Sequence, residues 1–286
     1  MRHQRRVRHP WCTRLDHLRP LAAQDDRTFV TRHVLAHQTI GGGDNTLVFV
    51  HGFSQTGDSW RQFVERVLPQ LPNTKAMLVD LPGHGASAEL HLDLHHTAQA
   101  LVATGGQATY VGYSLGARVV LHAALAHADA VKRCVLISGT AGIDDDRERN
   151  ARRTADEQLA DRISQVGIAS FIDEWLAQPL FAHLTPEQAQ RESRLTNTPA
   201  GLASSLRLCG TGTQSPLWNR LTELSQPLMV VAGARDEKFV ALARRIAVMA
   251  PRARLEIIGN AGHSVHLEQP SAFADVLIQW MMSPRA

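Results

Sequence analysis

The segment Gly112-Tyr113-Ser114-Leu115-Gly116 constrains the fold of this chain most, because it sets a serine between two glycines where an apolar run gives way to a helix-forming run. A serine in this setting lies on a sharp, strained turn with its hydroxyl exposed, and only small neighbours let the strand and the helix approach closely. The pentapeptide is moderately specific, since it also occurs by chance in loops. It predicts a strand, a tight turn and a helix, with Ser114 as a candidate nucleophile or base.

Two later strands end in the residues that such a serine needs. A serine hydroxyl reacts when a base takes its proton and an acid orients that base. The apolar run 228–231 is typical of a buried parallel strand and is followed by Asp236, and the next run, 255–258, is followed by His263. The order Ser114, Asp236, His263 matches the α/β-hydrolase arrangement, in which the three side chains meet at one edge of the sheet.

Acyl transfer and elimination also need hydrogen-bond donors for a developing oxyanion. These are usually the amide after the nucleophile and one amide from an early loop. The apolar run 47–50 leads directly into His51-Gly52-Phe53. The backbone amides of Phe53 and Leu115 are therefore the candidate oxyanion hole.

Both partners of the serine have rivals in the sequence. Asp236 can also be interpreted as a surface helix cap, and Asp80 is an alternative acid, although Leu81-Pro82-Gly83-His84-Gly85 after it is typical of a structural turn. His266 is an alternative base to His263, which the preceding glycine favours. His51 and His84 are interpreted as braces of their loops.

Composition excludes several classes of protein. At 286 residues with 44% hydrophobic and 20% charged residues, the chain is typical of a globular enzyme, and no apolar run approaches the roughly 18 residues that insertion into a membrane requires. The three cysteines, Cys12, Cys134 and Cys209, have neither metal-site spacing nor a disulfide framework. They indicate a reducing compartment, and we expect a cytoplasmic protein with no metal site.

The basic character of the chain is concentrated at its start. Residues 1–20 contain six arginines and one aspartate, so the remaining residues carry about −2 of the total net charge of +3. This segment lacks the apolar core of a secretory signal. Loose clusters of arginine are common, and no folded nucleic-acid-binding motif accompanies this one, so no nucleic-acid partner is expected. Residues 1–27 are predicted to be a disordered extension.

The rest of the chain predicts an α/β fold, with a mostly parallel central sheet covered by helices on both faces. Strand and helix patterns alternate in residues 28–142 and 216–286, which form the predicted α/β-hydrolase core, and residues 143–215 show only helical signals and form a predicted helical cap. Residues 29–35 are predicted to form an antiparallel first strand followed by a turn at 41–43. Asp58 and Asp93 are predicted helix caps, and Thr185 begins a capping box.

Arginines near the serine and in the predicted cap narrow the function further. Arg118 lies one helical turn after Ser114, on much the same face of the helix. Its charge is therefore expected to point toward the substrate pocket beside Ser114. Arg152, Arg153, Arg194 and Arg207 lie in the cap. For each of these the alternative is a solvated helix face with ordinary ion pairs, such as Glu148 with Arg152 at i,i+4.

At these positions residues 47–280 resemble a specific family, the 2-succinyl-6-hydroxy-2,4-cyclohexadiene-1-carboxylate synthases of menaquinone biosynthesis. The distinctive segments are 112–118 (GYSLGAR), 148–152 (ERNAR), 174–181 (EWLAQPLF), 210–218 (GTGTQSPLW) and 235–239 (RDEKF). The resemblance implies that Ser114, Asp236 and His263 form a catalytic triad. It also implies substrate contacts, with Arg118, Arg152 and Arg194 binding carboxylates and Tyr113 and Trp175 touching the substrate.

The resemblance further implies a lyase that eliminates pyruvate from a substrate bearing three carboxylates, with no cofactor. Guanidinium groups suit such a small polycarboxylate partner, because they bind carboxylates through paired, charge-assisted hydrogen bonds. Two alternatives remain open. One is a hydrolase that cleaves an ester or a carbon–carbon bond of a carboxylate-bearing molecule, and the other is a non-enzymatic ligand receptor, which the intact set of Ser114, Asp236 and His263 disfavours.

Overall fold

A seven-stranded sheet forms the centre of the molecule in the computed structural model, which describes residues 34–283. The strands are β1 (His37–Gly41), β2 (Asn45–Val50), β3 (Thr74–Val79), β4 (Ala108–Tyr113), β5 (Val131–Ile137), β6 (Leu228–Gly233) and β7 (Ala253–Ile258). Their order across the sheet is β1-β3-β2-β4-β5-β6-β7. Strand β1 pairs antiparallel with β3, and every other pair is parallel. The carboxyl ends of β2 to β7 therefore meet at one edge.

Helices cover both faces of this sheet, which is why the central strands are continuously apolar. The helices are α1 (Arg61–Val67), α2 (Leu94–Gly105), α3 (Leu115–Ala126), α4 (Asp146–Leu176), α5 (Pro186–Ala189), α6 (Arg191–Arg194), α7 (Pro199–Cys209), α8 (Glu237–Met249), α9 (Val265–Glu268) and α10 (Pro270–Met282). Helices α2, α3 and α8 pack on one face and α1 and α10 on the other. Every residue of β4 and β6 is buried between them.

Helices α4 to α7 form an insertion between β5 and β6, as the helical signals predict. The long helix α4 breaks at Gly167, whose φ of 75° no other part of the helix shares. Its second segment and α7 share a small apolar core that includes Phe171, Ile172 and Leu202. This core is separate from those of the sheet, which agrees with a cap, although the boundaries 143–215 stay a prediction.

Several local predictions are confirmed. Asp93 caps α2 by accepting a hydrogen bond from the His96 amide, and Thr185 forms both bonds of its capping box. Among residues 34–283, no helix combines the length and the apolar character needed to cross a membrane.

One local prediction falls largely outside the described residues, and one is wrong. Of the predicted strand 29–35, residues 29–33 lie outside the described residues, as does the whole predicted extension 1–27, and residues 34 and 35 are not in a strand; the first described strand is His37–Gly41. This edge strand is almost entirely exposed, so no apolar pattern marks it. Asp58 does not cap α1, because a short 3₁₀ turn at Gly57–Trp60 precedes the helix and the Asp58 carboxylate pairs with Arg61 instead.

Candidate active site

The turn between β4 and α3 is the structural origin of the site. Ser114 has a φ of 53° and a ψ of −106°, a strained conformation for a residue with a side chain. Gly112 and Gly116 make the turn possible, because a Cβ on Gly112 would collide with the carbonyl of Gly116, and one on Gly116 would collide with the carbonyl of Val50. The predicted elbow is present, and it holds the Ser114 hydroxyl above the carboxyl edge of the sheet.

The structure brings the three predicted side chains together at this edge. The His263 ring is buried, and its Nε2 lies 3.2 Å from Ser114 Oγ while its Nδ1 lies 2.9 Å from Asp236 Oδ2. Because an ionised carboxylate only accepts, Nδ1 carries the ring proton and Nε2 is left to accept from the serine. Asp236 also caps α8, since its Oδ1 accepts a hydrogen bond from the Phe239 amide at 3.2 Å. The two interpretations of Asp236 are therefore compatible.

The rival acid and the rival base lie elsewhere. Asp80 is tied into its loop, where its carboxylate accepts hydrogen bonds from the amides of Gly57 at 2.7 Å and Ala86 at 2.9 Å. The His266 ring is buried and stacks on Trp60 with ring centroids 4.1 Å apart, and burial lowers its pKa to about 3. It is therefore a neutral core residue at ordinary pH.

His51 and His84 brace their loops, in agreement with the sequence interpretation. His51 Nε2 accepts from the Leu81 amide at 3.0 Å and its Nδ1 donates to the Gly52 carbonyl at 2.8 Å. His84 Nε2 accepts from the Ser54 amide at 3.2 Å. Burial lowers the pKa to about 4 for His51 and about 3 for His84, so both rings stay neutral.

Glu268 is a residue of the site that the sequence interpretation missed. Its buried carboxylate accepts from the Gly262 amide at 2.6 Å through Oε2 and from the Ser264 amide at 2.9 Å through Oε1. These two amides flank His263, whose own carbonyl accepts a hydrogen bond from Ser138 Oγ at 2.7 Å. Glu268 thus fixes the loop that carries the base. No sequence signal distinguishes it from an ordinary acidic residue on a short helix.

The predicted oxyanion donors face a cavity beside the serine. Phe53 and Leu115 both line this cavity, which has a volume of about 220 Å³. Within the described residues, neither of their amides donates a backbone hydrogen bond, whereas the next amide, that of Gly116, donates to the His51 carbonyl at 3.1 Å. Both are available to an oxygen placed near Ser114 Oγ.

Arg118 and Arg194 line the same cavity and are almost fully buried. Arg194 donates from Nη1 to Ser54 Oγ at 2.6 Å and from Nε to the Ala189 carbonyl at 2.8 Å, and Arg118 has a long contact of 3.5 Å with the Gly210 carbonyl. Neither forms a salt bridge with a carboxylate in residues 34–283. Burial lowers the pKa of each guanidinium to about 10, so both remain cationic, and neither is hydrogen-bonded to a carboxylate.

The other predicted contacts differ in how they face the cavity. Trp175 lines it and packs edge-on against Phe53, with ring centroids 5.1 Å apart. Tyr113 contributes its ring, because its hydroxyl bonds Ser264 Oγ at 2.7 Å. Arg152 also lines the cavity, but its ion pair is with Asp156 at 2.7 Å instead of the predicted Glu148.

Of two further cations in this region, the sequence interpretation missed Lys238, and Arg207 follows the surface alternative. Lys238, at the start of α8, lines the cavity and was not predicted as a contact. Arg207 faces solvent and pairs with Glu157 and Asp161, both at 2.6 Å, which is the ordinary surface arrangement considered for the cap arginines.

Comparisons with known proteins agree with this geometry. Residues 47–276 match the model of the alpha/beta hydrolase family. A Citrobacter koseri protein named 2-succinyl-6-hydroxy-2,4-cyclohexadiene-1-carboxylate synthase is 34% identical over 258 residues, covering 86% of this chain and 98% of its own. The Salmonella typhimurium protein of the same name is 33% identical over 83% of this chain and 94% of its own. The structure of MenH from S. aureus superimposes with a TM-score of 0.79 at 28% identity, covering 86% of this chain and 97% of that one.

Proposed function

Because this chain belongs to the alpha/beta hydrolase family, and to the group within it whose curated members are named 2-succinyl-6-hydroxy-2,4-cyclohexadiene-1-carboxylate synthases, we propose that it catalyses that synthesis. The reaction is the elimination of pyruvate from the succinyl-enolpyruvyl-hydroxycyclohexene-carboxylate precursor in menaquinone biosynthesis. The enzyme is a lyase built on a hydrolase fold.

The observation that carries the proposal is the pair of buried guanidiniums without carboxylate partners, Arg118 and Arg194, beside Ser114. A buried charge costs several kcal/mol unless an opposite charge and hydrogen bonds compensate it. A neutral ester would leave both cations uncompensated in the closed complex. A polycarboxylate compensates both charges and is oriented by the two guanidiniums. The site therefore favours an acidic substrate over a simple ester.

The proposed chemistry uses Ser114 as a base. Ser114 Oγ takes a proton from the cyclohexene ring as its own proton passes to His263 Nε2, 3.2 Å away. The electron pair of the broken C–H bond forms a ring double bond, the existing ring double bond shifts by one position, and the C–O bond to the enolpyruvyl group breaks in a 2,5-elimination. The group departs as an enolate, which takes the proton from His263 and becomes pyruvate, so that His263 is again neutral. No acyl-enzyme forms.

Electrostatic stabilisation makes this proton transfer feasible, because a serine hydroxyl is a very weak acid. Asp236, 2.9 Å from Nδ1, stabilises the imidazolium that forms on His263. The amides of Phe53 and Leu115 receive the negative charge that delocalises onto the succinyl carbonyl. Loss of one such donor costs on the order of 3 kcal/mol of transition-state stabilisation in other enzymes.

Substrate binding follows from the charges that surround the serine. Arg118 and Arg194 bind one carboxylate each, Arg152 contributes near Arg118, and the rings of Tyr113 and Trp175 form the walls against the carbocycle. The described cysteines, Cys134 and Cys209, are both free and buried, which supports the expected cytoplasmic location.

The test is to supply the purified protein with the enolpyruvyl precursor and follow pyruvate through lactate dehydrogenase and NADH. We expect release that falls at least about a thousandfold in Ser114→Ala. Arg207→Met is the matched control, because Arg207 belongs to the same insertion but pairs at the surface. Turnover of nitrophenyl esters with no release of pyruvate would overturn the proposal in favour of a hydrolase.

A further inference from the structure

A buried carboxylate that the proposed chemistry does not use, that of Asp156, contacts residues that line the cavity. Asp156 is 3% exposed, and its Oδ1 accepts from Arg152 Nε at 2.7 Å while its Oδ2 accepts from the Gly212 amide at 3.1 Å. These contacts tie helix α4 to the loop after α7. Arg152, the partner of Asp156, itself lines the cavity.

Asp156 and Arg118 approach the same glycine from different elements. A Cβ on Gly210 would lie 2.5 Å from Asp156 Oδ2, and the Gly210 carbonyl is the group that Arg118 Nη1 contacts at 3.5 Å. Arg118, Arg152 and Asp156 therefore form one cluster around Gly210. Two cations and one anion give this cluster a net charge of +1.

The environment of Asp156 differs from that of the other acidic partners in the insertion. Asp161, Glu157 and Asp173 also pair with arginines, but their side chains are between 52% and 58% exposed, whereas that of Asp156 is 4% exposed. Surface pairs of that kind contribute little to stability. A buried carboxylate paired with an arginine that lines the cavity is costly, and it alters the net charge that a ligand meets there.

We propose that Asp156 determines the charge that this end of the cavity accepts. As a resident anion it neutralises one of the two arginines, so the Arg118–Arg152 site takes a single carboxylate and disfavours a dianion, whose second charge would be buried without a partner. Asp156 is thus a specificity-determining residue. The identity of the bound carboxylate rests on the proposed function. The net charge of the site rests only on Arg118, Arg152 and Asp156.

The experiment measures binding of two simple anions, acetate and sulfate, by calorimetry at pH 7. Asp156→Asn raises the charge of the cluster to +2, and we expect the affinity for sulfate relative to acetate to rise about tenfold or more. Asp156→Glu keeps the charge and is expected to keep the wild-type ratio. Asp161→Asn is the control, because Asp161 lies on the same helix and pairs at the surface. In an Arg118→Met background the gain in sulfate affinity is expected to disappear.

Arg152→Gln tests the same charge count if Asp156→Asn does not fold. It lowers the cluster to a net charge of zero, so sulfate binding is expected to weaken about tenfold more than acetate binding. An unchanged ratio in both variants, or an equal loss of both anions with a lower melting temperature, would show that Asp156 is only structural. Failure of the wild-type protein to release pyruvate would remove the proposed function, while the anion ratio would still decide the role of Asp156.

Discussion

Replacement of Arg118 with methionine should change stability and activity in opposite directions. The side chain is buried in the cavity, makes only a 3.5 Å contact with the Gly210 carbonyl, and has no carboxylate bonded to it. Methionine fills similar space without the charge. The folded protein therefore loses an uncompensated cation, and the substrate loses a partner.

The size of the stability change follows from the cost of the buried charge. Burial lowers the pKa of Arg118 from above 12 to about 10, and at roughly 1.4 kcal/mol per pKa unit the protonated side chain destabilises the folded state by on the order of 3 kcal/mol. The cost is present in full at neutral pH, where the guanidinium is charged in both states, and it disappears only as the pH rises through the folded and then the unfolded pKa. We expect Arg118→Met to raise the unfolding free energy by about 1–3 kcal/mol.

The activity should fall because a charge-assisted pair with a substrate carboxylate is lost. Such a bond contributes about 1.5–3 kcal/mol, so kcat/KM should drop roughly 10- to 100-fold. Urea denaturation measures the first effect and the coupled pyruvate assay the second. Arg207→Met should leave both within error of the wild type, since its ion pairs are exposed.

A loss of more than about 1 kcal/mol of stability in Arg118→Met would refute the argument that the cation lacks a partner in the free protein. Unchanged kcat/KM in a stable variant would refute its role in binding. The unfolding free energy thus measures how much the buried charge destabilises the fold, and kcat/KM measures how much it contributes to substrate binding.

Three further results are expected. Asp236→Asn should lower kcat by about 10⁴-fold with little loss of stability, because asparagine can still cap α8 but does not hold the correct His263 tautomer. Retained turnover in the pyruvate assay would exclude Asp236 as the acid. Glu268→Gln should lower kcat at least about tenfold with KM nearly unchanged, because the side-chain NH₂ of glutamine cannot accept a hydrogen bond from one of the two backbone amides that flank His263. A change in KM alone would contradict a role in positioning the base. Lastly, the unfolding free energy measured by urea titration should fall between about pH 6.5 and 4, by on the order of 2 kcal/mol at pH 5 for each histidine that is buried and neutral, because the unfolded chain binds protons that the folded state does not. A flat profile would contradict neutral rings at His51, His84 and His266.

Sequence alone predicted the parts of the site that depend on chain order and strand ends. Ser114, Asp236 and His263 follow the strands β4, β6 and β7, which run in parallel, so their convergence at one edge is a consequence of the fold. Local rules also predicted the cap at Asp93 and the box at Thr185, because these involve residues three positions apart.

The remaining features depend on contacts between distant segments. Arg152 has acidic residues four positions before and after it, and only the loop that brings the Gly212 amide to Asp156 decides between them. The strand His37–Gly41 is held by its pairing with β3, so its exposed side chains give no apolar signal. Glu268 accepts hydrogen bonds from backbone amides, which every residue except proline has, so the sequence of its partners gives no sign of the contact.

The break at Gly167 separates two groups of cavity residues that lie on the same helix. Arg152 precedes the break with its partner Asp156, and Trp175 follows it. A Cβ at Gly167 would meet nothing within 4 Å, so the requirement for glycine comes from its φ of 75° alone. A change in the backbone angle at this one residue would therefore move the tryptophan wall of the cavity relative to its charged wall, without a change in either set of side chains.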